Sequence, residues 1–399
     1  MPIPALNRVR LYYFIVTGAG GFLIPFLSLF YQRQGLSGTQ IGLLGTVGAL
    51  AGMVAAPFWG RQSDRIADPR RLLQAAFLGS ALVYLIISQQ NMFGWLALLI
   101  GFNAILGAGI DPISDSMTLG LLKGQQKTGF GSVRLWGSLG WALTVYLSGL
   151  LIERTSLMSA FWGFALMMVL TVLVLNWLDL KSNQATDHRS SEAKPKISTR
   201  TVFALIGQDR ALVGLAIALS VLWITRSGIY QFQAIYLDQL GAGESLIGLA
   251  STLGALVELP GMLLADHLIR RFGSHRVLGT MFLIYIVMFG IVALFPAIPA
   301  ILFSAALGGI TFSFYSVGIV VFLSERAPLG QTATILAIFT STLRGLISLI
   351  SGPLAGLVFD LFGAYWLYVM AIGGSLLAGI IFRLFVTGKR SLPDIERIG

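Results

Sequence analysis

About twelve apolar runs, each of roughly 20 residues, fill this 399-residue chain, and each is long enough to cross the hydrocarbon core of a bilayer as a helix. They lie near 11–30, 41–59, 72–88, 95–122, 135–152, 158–178, 212–237, 247–264, 277–295, 301–323, 335–359 and 365–385. Inside lipid every backbone polar group must be satisfied within the protein, and continuous runs of this length do that as helices. Composition agrees. Only 11% of residues are charged, against about 25% in soluble domains. The 47 glycines suit close helix packing in lipid rather than loops. The expected fold is an all-α membrane protein of twelve transmembrane helices.

The net charge of +10 could signal nucleic acid, but its distribution excludes that reading. With the N-terminus inside, Arg33 and Arg154 fall outside and Arg134, Arg226 and Arg344 fall within membrane segments. The other Lys and Arg residues all lie on the cytoplasmic side. This asymmetry is the positive-inside rule, and it places both termini in the cytoplasm. The first span follows a short Arg8/Arg10 lead and is too long for a signal-peptide core, so it reads as retained. The chain has no cysteine, so disulfides are excluded. The polar stretch 181–200 has the composition of a solvated linker. It divides the chain into an N-terminal six-helix bundle (1–180) and a C-terminal one (201–399).

The halves resemble each other. IGLLGTVGAL from Ile41 overlays IGLASTLGAL from Ile247, and the segment around Arg134 and Ser138 echoes the one around Arg344 and Ser348. Internal repeats with a site at their interface are a recurrent transporter plan. In the first overlay, Gly52 corresponds to Glu258, so one half carries a carboxylate where the other keeps a small residue.

Six ionisable residues fall in membrane segments: Asp111, Asp115, Arg134, Arg226, Glu258 and Arg344. Such groups are costly in lipid and mark functional sites or structural ion pairs. Asp111 and Asp115 are four apart and share a helix face; Arg134, Ser138 and Trp141 share another. Where those faces meet, they make a polar pocket with an aromatic wall. Arg134 offers a planar donor fork for a carboxylate or paired hydroxyls, and Trp141 a face for a ring. Gln231 and Gln233 in the seventh span and Ser313, Tyr315 and Ser316 in the tenth are candidates for the opposite wall. Glu258 is the candidate proton carrier, with Arg344 or Arg226 as its partner. Tyr12 and Tyr13 in the Gly-rich first span, which Pro25 interrupts, read as interfacial anchors for at least one of the pair. The three histidines (His188, His267, His275) fall in cytoplasmic loops, so no metal site or cofactor is expected. No phosphate-binding loop is present, so nothing suggests ATP as the energy source or an enzyme.

The six-plus-six layout and the loop carrying Gly60, Asp64 and Arg65 resemble the major facilitator superfamily. The stretch from Phe130 to Leu143 is similar to the fifth-helix motif of its lactose permease, phenylpropionate permease and nucleoside–proton symporter group. The fourth-helix pair Pro112 and Asp115 is similar too. The resemblance implies that Arg134 hydrogen-bonds the solute and Trp141 stacks on its ring, and that Arg344 stands near a coupling position. The tenth span carries no histidine and the ninth no arginine, so the proton route differs from that of lactose permease. Gly60, Asp64, Arg65 and Asp266, at cytoplasmic helix ends among arginines, suit a charge latch that gates the inner face.

The expected function is proton-coupled symport of a small organic solute by alternating access across a bacterial inner membrane. A sugar-like or nucleoside solute and an aromatic carboxylate are the two leading classes, and three arginines against three acids, one of them neutral when protonated, lean slightly toward an anion. The protein is expected to act as a monomer in the lipid bilayer, with protons and a small molecule as its partners. Proton-coupled export of drugs or metabolites, and a non-transporting sensor on the same fold, are the alternatives.

Overall fold

Every regular element is a helix among the residues that the computed structural model describes, 3–65, 69–122, 130–178, 206–327 and 331–386. Twelve helical segments are long and apolar enough to span a membrane, from Leu6–Arg33 to Ala364–Val386. In chain order the elements are α1 (Ile3–Leu23), a 3-10 link (Ile24–Phe26), α2 (Leu27–Arg33), α3 (Gly38–Arg65), α4 (Arg70–Ile87), α5 (Phe93–Gly107), α6 (Ile110–Leu122), α7 (Phe130–Arg154) and α8 (Met158–Trp177). There follow α9 (Arg210–Gln239), α10 (Glu244–Phe272), α11 (Ser274–Leu294), α12 (Ile298–Ser324), α13 (Thr332–Ala337), a π-helical turn (Ile338–Thr342), α14 (Leu343–Phe362) and α15 (Ala364–Val386). The linker 181–200, with His188, lies outside the described residues.

The chain groups into two compact units. One is Met1–Ser190 with Gln231–Leu256, and the other is Ser191–Tyr230 with Val257–Gly399.

Local chemistry sets the interruptions. Pro25 cannot donate to the carbonyl four residues back, and the first span tightens there into a 3-10 turn between α1 and α2. The run at 95–122, read from the sequence as one helix, is broken at Ala108–Gly109 into α5 and α6. The stretches around 60–65 and 266–276, expected as loops, are helical instead. α3 runs through Arg65 and α10 through Phe272, where Arg270 and Arg271 face the carbonyl end of the helix dipole. Only Gly273, at φ +87°, separates α10 from α11, so His267 and His275 stand in helical turns rather than loops. Helices that project beyond the bilayer into water keep their hydrogen bonds, and a polar composition does not by itself unwind them.

The halves share a turn as well as a sequence pattern. After α2, Gly35 (φ +86°) donates to Gln32 O and Leu36 donates to Tyr31 O. After α9, Gly241 (φ +83°) donates to Asp238 O and Ala242 to Leu237 O. Both are left-handed glycine caps of the Schellman type, spaced as the Ile41/Ile247 overlay is.

Within the first unit, α1 packs most heavily against α7. Gly140 leaves no room for a side chain, since a Cβ there would stand 2.1 Å from the Phe14 carbonyl oxygen. One turn further on, Thr144 Oγ1 donates to Gly18 O at 2.8 Å, and Ser148 Oγ donates to Phe22 O at 2.7 Å. Small residues bring the backbones close, and hydroxyls then bond across the seam, as membrane helices without a hydrophobic driving force require. α10 meets the other side of α7. Thr252 Oγ1 donates to Ala142 O at 2.9 Å, and a Cβ on Gly248 would stand 2.6 Å from Val145 O.

Gly140→Ala is therefore expected to push α1 and α7 apart at a cost of about 1–3 kcal/mol. It should lower the detergent-solubilised melting temperature by several degrees, roughly, in a size-exclusion thermostability assay. Gly94→Ala, with nothing within 4 Å of its new methyl, should leave it unchanged.

Candidate functional site

The break at Gly109 sets the direction of α6. Trp59 of α3 donates its indole N–H to Ile105 O at 2.6 Å, and its ring lies where a Cβ on Gly109 would stand, at 2.7 Å. A glycine is required for that approach. α6 begins immediately afterwards, with Asp111 in its first turn and Asp115 one turn on.

Asp115 is where three helices meet. Tyr13 of α1 donates its hydroxyl to Asp115 Oδ1 at 2.9 Å, and Arg134 of α7 donates Nη1 to Oδ2 at 3.3 Å. The neighbouring Ser114 Oγ lies 2.6 Å from Tyr12 Oη. The aspartate face of α6 and the arginine face of α7 do meet, at Asp115 and Arg134. Tyr12 and Tyr13 are buried partners of α6, and neither is an interfacial anchor. Their hydroxyls find fixed hydrogen-bond partners inside the bundle, which an interface position could not offer.

The ion pair is not sealed in protein, for the Arg134 side chain is 61% exposed and that of Asp115 31%. A charge turned toward hydrocarbon costs about 2.5–3.5 kcal/mol even on the mildest scale, so leaving this pair against lipid would be expensive. The other donors of Arg134 have no partner among the described residues. Asp111 is exposed, with no hydrogen bond among the described residues. Trp141 follows Arg134 by seven residues, about 10 Å along the same face. It is half-buried, with its ring against Gly20 of α1, 3.1 Å from the position of a Cβ. This wall therefore offers a guanidinium, carboxylates and an indole face within the length of one small molecule.

In the second unit, Arg226 of α9 donates Nη1 to Tyr285 Oη at 2.8 Å. Its guanidinium carbon lies 4.6 Å from the ring centre of Tyr230 and 5.0 Å from that of Tyr285. Arg344 of α14 lies over the Trp223 ring at 5.3 Å, and Trp223 meets Tyr315 edge to face at 5.8 Å. Neither arginine has an ion-pair partner among the described residues. Glu258 is half-buried. Its backbone carbonyl accepts from Ser313 Oγ at 2.9 Å, and its carboxylate has no hydrogen bond or ion pair among the described residues. The structure thus does not pair Glu258 with Arg226 or Arg344.

Gln231 donates Nε2 to Ile41 O at 2.8 Å, tying α9 to α3 in the first unit. Asp266 pairs with Arg270 on its own helix, both side chains exposed. Gly60, Asp64 and Arg65 fall in the last turns of α3, and the side chains of the two charged residues lie outside the described part. Among the described residues no cluster of His, Cys, Asp and Glu could hold a metal ion.

Of these aromatic partners the sequence reading named only Tyr315, as a candidate for the opposite wall. Trp223, Arg226 and Tyr230 recur at i, i+3 and i+7 on one face of α9, a pattern that was legible beforehand. Tyr285 and Tyr315 carry no such signal, since tyrosine in an apolar helix is equally at home as a packing residue.

Residues 6–370 match the MFS_1 like family. The chain is 30% identical over 272 residues to a maltose permease of Geobacillus stearothermophilus, covering 67% of this chain and 66% of that protein. It is 25% identical over 379 residues to a probable 3-phenylpropionic acid transporter of Escherichia coli (strain K12), covering 93% and 96%. Its fold superposes on the crystal structure of the nucleoside transporter NupG with a TM-score of 0.83, at 15% identity, over 98% of this chain and all of that one. At that identity the likeness speaks for the fold alone. With a family match over most of its length, twelve apolar helices and that architecture, the chain belongs to the MFS_1 like family and is a multi-pass integral membrane transporter of the major facilitator superfamily.

Proposed function

We propose that this protein imports a small organic solute together with a proton by alternating access, as a monomer in a bacterial inner membrane with both termini in the cytoplasm. The observation that carries the reading is the exposed Arg134–Asp115 pair, held by Tyr13 and set about two helical turns from the Trp141 indole. The pair is not enclosed by protein, which leaves guanidinium donors for a solute with an aromatic face beside them. Asp111, exposed one turn away, adds acceptors. The relatives named for maltose and 3-phenylpropionic acid support a sugar-like or an aromatic carboxylate solute alike.

Glu258 is the proton carrier in this reading. A carboxyl that meets a guanidinium in one conformation and none in another exchanges a proton as the protein cycles. The conformation described here leaves Glu258 without such a partner, and Arg226 and Arg344 are the groups that would supply it. Gly60, Asp64, Arg65 and Asp266 serve as the cytoplasmic gate. Gln231 reaches the solute only where its bond to Ile41 O is released.

Four outcomes follow from this reading. Adding solute to de-energised cells should make the medium more alkaline; acidification would instead mark export by antiport, and no flux at all a sensor. Glu258→Gln should abolish uphill accumulation in proteoliposomes while sparing solute exchange, and surviving accumulation would move the proton to another group. Arg134→Lys, which replaces a rigid fork with a point charge, should weaken solute binding about tenfold or more, measured by thermal shift or uptake. Tyr13→Phe removes one bond from Asp115 and should cost about 1 kcal/mol, roughly fivefold in affinity.

A further inference from the structure

The two arginines of the second unit present the reverse of the Arg134 arrangement. Arg134 has a carboxylate, whereas Arg226 and Arg344 have phenol oxygen and aromatic faces. Aromatic rings soften the cost of a cation but do not cancel its charge. The only acid of this unit among the intramembrane charges is Glu258, which pairs with neither.

The unmet hydrogen bonds point the same way. Arg226 Nε is shielded from solvent and has no acceptor, and Tyr315 Oη is likewise shielded with no partner. Both can donate, and Tyr315 lies within electrostatic reach of both guanidiniums. A buried donor left unpaired is expensive, and here two such donors belong to one cluster of arginines and aromatic rings. What the cluster lacks is an acceptor carrying negative charge. A π-helical turn, Ile338–Thr342, directly precedes Arg344, and such turns recur at functional positions in helices.

We infer that the box formed by Trp223, Arg226, Tyr285, Tyr315 and Arg344 seats the carboxylate of the transported solute, which makes that solute an organic anion rather than a neutral sugar or nucleoside. This rests on the solute-carrying function proposed above and goes beyond it by naming the substrate class. The carboxylate accepts from Arg226 Nε–H and Tyr315 O–H, and Arg344 adds the second positive charge. The flat walls of Trp223 and Tyr285 favour a solute whose carboxylate is carried on an apolar or aromatic body.

The test compares 3-phenylpropionate with its neutral amide, and both with maltose and uridine, by thermal shift and tryptophan fluorescence on the purified full chain. The acid should bind at least about tenfold more tightly than the amide, a comparison that needs no variant. Arg226→Gln and Tyr315→Phe should each reduce acid binding and leave the weak amide binding unchanged. Arg226→Lys should restore part of the loss. The conservative Tyr315→Phe keeps the test decisive should Arg226→Gln fail to fold. Equal binding of acid and amide, or acid binding untouched in Tyr315→Phe and Arg226→Gln alike, overturns the inference. Proton-coupled uptake of maltose or uridine that survives Arg226→Gln overturns it too, while upholding the symport reading. Acid binding that depends on Arg226 but drives no proton movement upholds the inference and overturns the symport reading.

Discussion

A guanidinium inside a bilayer cannot shed its proton and finds no solvent there to bond, so the protein around it must supply what water would have given. The three intramembrane arginines of this chain meet that demand in three ways. Arg134 has a carboxylate, Arg226 a phenol oxygen and two rings, and Arg344 an indole face. The helix pairings around them follow from the same demand. Tyr13, Asp115 and Arg134 bring α1, α6 and α7 to one point, and Arg226 with Tyr285 joins α9 to α11.

The scaffold that holds these groups is made largely of absent side chains. Gly140 admits the backbone of α1, Gly109 admits the ring of Trp59, and Gly248 admits the backbone of α7. Dispersion and close approach hold membrane helices together, and such contacts tolerate little displacement. The charges are therefore presented on a stiff frame, with Asp115 fixed by a neighbour on each side. The two repeats have diverged in charge more than in backbone. The glycine caps at Gly35 and Gly241 match bond for bond, whereas the echoing arginines 134 and 344 ended with partners of opposite chemistry.

The fold was legible because the bilayer imposes a length and a polarity that few other sequences satisfy. Spacing placed Asp115 and Arg134 each on a polar helix face through the 3.6-residue repeat, and the packing of α6 beside α7 brings those faces together. Three things were not. The break at Gly109 depends on an indole from a helix some 50 residues away in sequence, which no local pattern records. Tyr12 and Tyr13 looked like interface residues because their type is at home there, and only the tertiary arrangement puts Ser114 and Asp115 within reach. The ends of α3 and α10 looked like loops because charge was read as irregularity, whereas a helix in water holds its bonds equally well.

The widened turn at Ile338–Thr342 has a geometric result for the eleventh span. An α-helix advances about 100° per residue, so one extra residue accommodated in a single turn offsets all that follows by about that angle. Ile335 upstream and Ala355 downstream are both buried, although an unbroken winding at about 100° per residue would set them on nearly opposite sides. The span is thus two rods coupled out of phase. The bearing of the guanidinium at position 344 is set by that rotary offset at least as much as by its place in the sequence.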